Sequence, residues 1–436
     1  MELNNPKIIR AWCVYDWSNS VYNLVITSTI FPIYYISVTT TTGSDLVSFF
    51  GFSVPNTVLY SYSLSFSFLV IALLQPLLSG IADSVGNKKS FMRAFTYLGS
   101  ISCISLYFFS GENIEFGIAC SVLASIGYGG ALVFYNSFLP EIASFDRYDQ
   151  VSARGFSYGY VGSVLLLVFN LVMIQKPEWF GMVEGSLPAR ISFLTVGIWW
   201  IGFSQITFYY LPANVYKQSI KRNYLVSGYA ELRKVLRSLK GLPELRKFLL
   251  SFFFYSIGVQ TIMYLAATFG DKELHLSSGK LIITILIIQL VAVFGSYLFA
   301  KISEYRGNRF SLLTMIVIWI GVCIAAFYTY TDYEFFALAF SAGLVMGGIQ
   351  SLSRATYTKL IPADTIDHAS YFSFYEVTFN LSIVVGTFSY GFIEHWTGSM
   401  RYSLLALGGF FIVGMFFLWN VTIPRKSQEA VILENG

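Results

Sequence analysis

Charge is scarce in this chain: Lys, Arg, Asp and Glu make up 12% of its 436 residues, about half of what a soluble domain carries. Histidine and cysteine are scarce too, with three and four residues. His275, His368 and His395 fall far apart in connecting segments without an HExxH spacing, so no metal centre and no cofactor is expected. Cys13, Cys103, Cys120 and Cys323 stand singly inside apolar runs, which supplies neither a disulfide framework nor ligand spacing. No GxSxG and no Walker sequence occurs, which argues against a membrane enzyme and against an ATP-driven pump. A net charge of +4 without a basic stripe argues against nucleic acid as a partner.

What is present is apolar length. Hydrophobic residues reach 55% and mean hydropathy is +0.61. They arrive in runs of about twenty or more, enough for a helix to cross the ~30 Å hydrocarbon layer. The expected partner of most of the surface is therefore the lipid bilayer, with many Tyr and Trp residues near the ends of the runs, where amphipathic rings favour the interface. The spacing predicts helices over 12–37, 56–82, 91–109, 114–139, 152–174 and 189–211, then over 248–269, 280–302, 310–329, 335–361, 369–393 and 402–423. The first run lacks a small-residue cleavage site, so no removable signal is expected. The fold class is all-α integral membrane: a first six-helix unit (1–211), a basic linker (212–247), a second six-helix unit (248–423) and a tail (424–436).

The linker carries nine Lys or Arg against Glu231 and Glu244. Its segment 229–239 reads either as an amphipathic helix on the membrane surface or as a solvated connector. Of the 28 basic residues only Lys176, Arg190, Lys272, Lys280 and Arg401 fall in the alternate set of connections. The positive-inside rule then puts both termini in the cytoplasm, and a cell membrane is the expected location.

Two stretches repeat. Gly80-Ile-Ala-Asp-Ser-Val-Gly-Asn-Lys-Lys89 follows the second helix and Ala300-Lys-Ile-Ser-Glu-Tyr-Arg-Gly-Asn-Arg309 follows the eighth. An offset of 221 residues pairs Asp83 with Glu304, Gly86 with Gly307, Asn87 with Asn308 and Lys88 with Arg309. Such a repeat is what a duplicated six-helix unit leaves behind. An acid at a helix end, a Gly for a tight turn and paired cations, Lys88 and Lys89 in the first copy, suit a loop anchored at cytoplasmic headgroups. Both copies resemble the signature loop of major facilitator transporters, which implies two pseudo-symmetric six-helix bundles and a latching role for Asp83. A narrower resemblance rests on Tyr15-Asp-Trp-Ser-Asn-Ser20, Phe134-Tyr-Asn-Ser-Phe-Leu-Pro-Glu-Ile-Ala143, Gly258-Val-Gln260 and Gly347-Gly-Ile-Gln-Ser-Leu-Ser-Arg354. Together these resemble the vacuole effluxer-like transporters, whose fungal members are autophagy-related amino-acid exporters. Ser256 and Ile257 stand where those relatives commonly carry an acid.

Ionisable groups inside a span cost at least a few kcal/mol, about 2.5–3.5 on insertion scales, and default to functional candidates. Asp16, Asn19, Asn23 and Thr27 fall at i, i+3, i+7 and i+11, one stripe of the first helix, although Asp16 also fits a cap near the helix start. Arg354 and Glu376 lie at equal depth on consecutive helices, each with an amide one turn away, Gln350 and Asn380. That predicts a salt bridge between them, and it leaves Asp16 as the freer carboxyl for a coupling proton. With Asn136 and Gln260, these residues form the candidate substrate and coupling set. Asp83, Gly86, Lys88, Lys89, Glu304, Gly307 and Arg309 form the candidate latch loops. The expected function is alternating-access transport of a small neutral or zwitterionic solute such as an amino acid, with protons as the candidate coupling ion and no oligomer required. The competing reading is a non-transporting membrane receptor or scaffold.

Overall fold

The structure, a computed structural model, describes residues 3–40, 44–183, 185–212 and 224–424. Helices dominate because only a helix or a closed barrel satisfies its own backbone groups in lipid. They are α1 (Pro6–Thr39), α2 (Asn56–Val85), α3 (Lys88–Ser105), α4 (Ile114–Ser137), α5 (Tyr148–Gln175) and α6 (Leu187–Tyr210). The second set is α7 (Pro243–Leu274), α8 (Ser278–Arg306), α9 (Asn308–Phe327), α10 (Asp332–Leu360), α11 (His368–Thr397) and α12 (Met400–Trp419). A small antiparallel hairpin, β1 (Leu46–Phe49) and β2 (Phe52–Pro55), lies between α1 and α2.

Eleven of these helices are long and apolar enough among the described residues to cross a membrane. The exception is α3, whose first two turns carry Lys88, Lys89 and Arg93. It nevertheless fills the third place, packed between α4 and α6.

Packing repeats between the sets. The neighbours α1·α5, α1·α6, α2·α4, α3·α4 and α3·α6 recur as α7·α11, α7·α12, α8·α10, α9·α10 and α9·α12. Between the sets, α2 packs on α11 and α5 on α8, which are again equivalent pairs. With an even number of helices, the first and last described residues lie on one face, hereafter the terminal side.

Helix starts follow capping chemistry. The side chain of Asn5 accepts from the Lys7 N–H at 3.0 Å with Pro6 next to it, so α1 begins six residues before the expected start. Thr331 and Glu334 form a reciprocal capping box on α10. Gly86, at φ 71°, ends α2 in the left-handed conformation that glycine adopts without penalty.

The middle of α1, Tyr22–Ile30, is wound as a π-helix. That winding shifts the expected stripe, because successive turns no longer repeat every 3.6 residues. The expected linker helix spans Tyr224–Ser238 and is followed by a turn at Leu239–Gly241. It packs on α2, and Val235 is buried. The Lys234 ammonium meets Asp367 at 2.6 Å, and Ser238 shares a hydrogen bond with Tyr371 at 2.7 Å. Linker residues 213–223 and tail residues 425–436 lie outside the described residues.

Candidate functional site: a central cavity and its two seals

A cavity of about 210 Å³ lies between the two sets of helices. Of the expected set, Asp16, Asn23, Asn136, Gln260, Gln350, Arg354, Glu376 and Asn380 line it, with Thr27. Asn19 does not: its side chain is buried and its amide nitrogen has no partner. Six tyrosines also line it: Tyr255 and Tyr264, which the sequence offers with Gln260 as substrate contacts on the seventh helix, and Tyr22, Tyr128, Tyr160 and Tyr375, which it does not mark.

The floor is a charged network. The expected Arg354–Glu376 salt bridge is not formed. Arg354 turns to Asp16 instead, at 3.4 Å. Equal depth did not make the two residues neighbours, because α10 packs on α8, α9 and α5 whereas α11 packs on α2, α7, α12 and α4. The Arg354 Nε–H donates to the Ser152 hydroxyl at 2.9 Å, and its terminal nitrogens donate to Asp16, to the Asn136 carbonyl at 3.1 Å and to the Ser152 carbonyl at 2.9 Å. Rings of Trp12 and Phe156 sit 4.7 and 4.2 Å from the guanidinium carbon. Asp16 also accepts from the Tyr135 hydroxyl at 2.6 Å. It is the eleventh residue of α1, so it is not a cap. Asp16 is therefore tied down, not free. Glu376 accepts from the Asn136 amide at 2.7 Å, and among the described residues no cation lies within salt-bridge reach of it. Asn136 thus bridges the two charged groups.

Gly155 on α5 makes room for this crossing. A Cβ there would lie 2.6 Å from the Asp16 carboxylate and 3.0 Å from the Arg354 guanidinium. Gly159 and Gly162 bring α5 equally close to Ser20 and Trp17 of α1. Gln350 accepts from the Tyr160 hydroxyl at 2.6 Å, and Asn380 donates to Gln75 at 3.4 Å, both across the interface between the halves.

Below the floor, toward the terminal side, the halves meet through polar groups. Asp83 accepts from the backbone N–H groups of Ala369 and Ser370, at 3.3 and 2.7 Å, at the start of α11. Glu304, its counterpart, accepts from the Gln150 side chain at 2.6 Å near the start of α5. The strongest contact was not expected: buried Asp149 accepts from Lys359 at 2.7 Å, from Asn308 at 2.7 Å and from Ser303 at 3.0 Å.

The paired cations of the first loop turn inward. Lys88 and Lys89 are buried; Lys88 pairs with Glu141 and Lys89 donates to the Leu211 carbonyl at 2.5 Å. Arg309 lies over the Trp419 ring at 5.4 Å. Gly307 carries the second turn at φ 87°. On the far side the seal is apolar, with Ile285 and Leu286 of α8 packed against the cluster of Tyr22, Leu24 and Val25.

Comparison with known proteins agrees with this architecture. A family model described as "Vacuole effluxer Atg22 like" matches residues 4–431. "Uncharacterized MFS-type transporter YxiO" of Bacillus subtilis is 29% identical over 97% of this chain and 96% of its own length. "Autophagy-related protein 22" of Saccharomyces cerevisiae is 23% identical over 97% and 93%. Among solved structures, the proton:xylose symporter XylE aligns with a TM-score of 0.72 over 98% of each chain at 14% identity. The transporter FucP, in its outward conformation, aligns at 0.71 over 96% of this chain and 99% of its own at 12% identity. At such identities the likeness speaks for the major facilitator fold alone. The relatives and structural neighbours are transporters, not enzymes.

Proposed function

On the premise that the chain belongs to the vacuole effluxer Atg22-like family and is an integral-membrane transporter of the major facilitator type, we propose that it carries a small amino acid by alternating access. The observation that carries this reading is the cavity between two unlike seals, with a charged floor and uncharged hydrogen-bonding walls. Its ~210 Å³ lies below the range of drug-sized pockets, about 300–1,000 Å³, and suits a solute of amino-acid size. Alternating access then consists of breaking the polar terminal seal while the far side closes, the rocking of one repeat against the other.

The moving units are 1–211 and 248–423, joined by 212–247, and the basic terminal side faces the cytoplasm of a cell membrane. The terminal seal is then the cytoplasmic gate, with Asp83 and Glu304 as its latch acids. Protons are the coupling ion. Of the two cavity carboxyls, Glu376 is the one that forms no salt bridge among the described residues, so it replaces Asp16 as the coupling group.

Counterflow of radiolabelled leucine in proteoliposomes tests the reading. Accumulation against excess internal leucine is expected, together with uptake or release driven by an imposed pH gradient. Absence of counterflow for every standard amino acid, with folded protein in the vesicles, would favour the receptor or scaffold reading.

A further inference from the structure

The charged floor has a polarity that the amino-acid reading does not by itself require. Among the described residues, two carboxyls, Asp16 and Glu376, line the cavity against one guanidinium, Arg354, with no other Lys, Arg, Asp or Glu. A guanidinium has five N–H donors and no more. In Arg354 all are spent: one on the Ser152 hydroxyl, two on Asp16, one on Asn136 and one on the Ser152 carbonyl. Its faces are covered by Trp12 and Phe156. It therefore has no fork to offer a carboxylate, which is the usual way a protein grips one. Glu376 is the reverse. It lies in the cavity wall at 4% exposure, holds a single neutral donor from Asn136 and has no cation partner among the described residues. Aromatic rings line the same cavity: Tyr375, next in sequence, stacks on Phe252 at 4.3 Å, and Tyr255 lies 5.5 Å from Phe252.

We propose that Glu376 is an ammonium subsite, and that the cationic nitrogen of the solute, not its carboxylate, is the pole the transporter recognises. A buried carboxyl without a cation is costly, and a ligand ammonium removes that cost at the moment of binding. The solute's carboxylate meets only neutral donors such as tyrosine hydroxyls and the Asn and Gln amides, so its removal costs little. The proposal rests on the amino-acid reading for its choice of probe, but it extends the substrate class to primary amines that lack a carboxylate.

The test compares three probes on the purified full chain by equilibrium binding: leucine, 3-methylbutylamine, which is leucine without its carboxylate, and N-acetyl-leucine, which lacks the charged amine. Leucine and the amine are expected to bind within about threefold of each other, and N-acetyl-leucine at least tenfold more weakly. In Glu376→Gln, confirmed as folded by its thermal unfolding, binding of leucine and of the amine falls at least tenfold and the difference from N-acetyl-leucine disappears. Leucine and N-acetyl-leucine binding alike while the amine fails overturns the proposal and leaves amino-acid transport standing. Amine binding without leucine binding upholds the subsite and sinks the amino-acid reading. Failure of all three sinks both. The wild-type series decides the matter even where the variant does not fold.

Discussion

The loop after α2 and the loop after α8 descend from one pattern, yet they join the halves with opposite chemistry. In the first, the acid is on the loop: Asp83 accepts from backbone amides at the start of α11. In the second, the loop acid Glu304 is exposed and meets only the neutral side chain of Gln150. There the buried charge sits across the interface on Asp149, and the loop supplies donors, Ser303 and Asn308. The repeat offset of 221 residues maps Asp149 onto Ser370, the residue that donates to Asp83 in the first latch. Donor and acceptor have exchanged sides, and Lys359 joins only the second. Duplication preserved where the halves touch and left free which side brings the charge. The first latch therefore rests on hydrogen bonds alone, and the second on a buried ion pair.

That contrast can be broken from its stronger side first. Lys359→Ala strands Asp149 with neutral partners, an effect of about 3–5 kcal/mol. A cysteine introduced at Gln350 should then become alkylated from the terminal side at least tenfold faster. Adding Asp149→Asn should restore most of the original rate, and unchanged alkylation in Lys359→Ala would break the comparison. The native cysteines are buried, so they leave the reporter clean. Asp83→Ala removes the charged acceptor of the first latch, at about 2 kcal/mol. It should raise the same rate less than Lys359→Ala does, with Asp83→Asn in between. Ser303→Ala deletes one donor to Asp149 and should cost about 1 kcal/mol, read as a small shift in thermal unfolding of the purified protein. Glu304→Gln should change either readout by less than ~0.5 kcal/mol, since an exposed contact to a neutral partner is worth little. A Glu304 effect equal to that of Asp83 would make the two latches chemically equivalent after all.

Much of the molecule was legible because lipid imposes length and apolarity on each crossing and the loop motif repeats at a constant offset. The placing of α3 needed only its position in that order, since its hydropathy is diluted by three cations. Side-chain pairing was less legible. Depth along a helix follows from counting residues, but direction around it depends on which helices are neighbours. That is why Arg354 was matched with Glu376 and not with Asp16. Asp149 and Lys359 were passed over because charges near span ends read as solvated anchors. The repeat offset, applied to Ser370, held the signal that could have located Asp149. Of the aromatic lining only Tyr255 and Tyr264, beside Gln260 on the seventh helix, stand out in the sequence, because Tyr is abundant throughout this chain, at 30 residues.

The glycine approach of α5 and the π-wound stretch of α1 share one helix, and they divide it mechanically. Up to Ser20, α1 is pressed against Gly155, Gly159 and Gly162 with no slack for a side chain to shift. Beyond Val21 its backbone bonds reach one residue further and the coil is wider. The lower part is held by close packing around the Asp16–Arg354 crossing, and the upper part, which carries Asn23 and Thr27, is the wider-wound one. The slack of α1 therefore lies in the stretch that lines the cavity, on the hairpin side of the crossing.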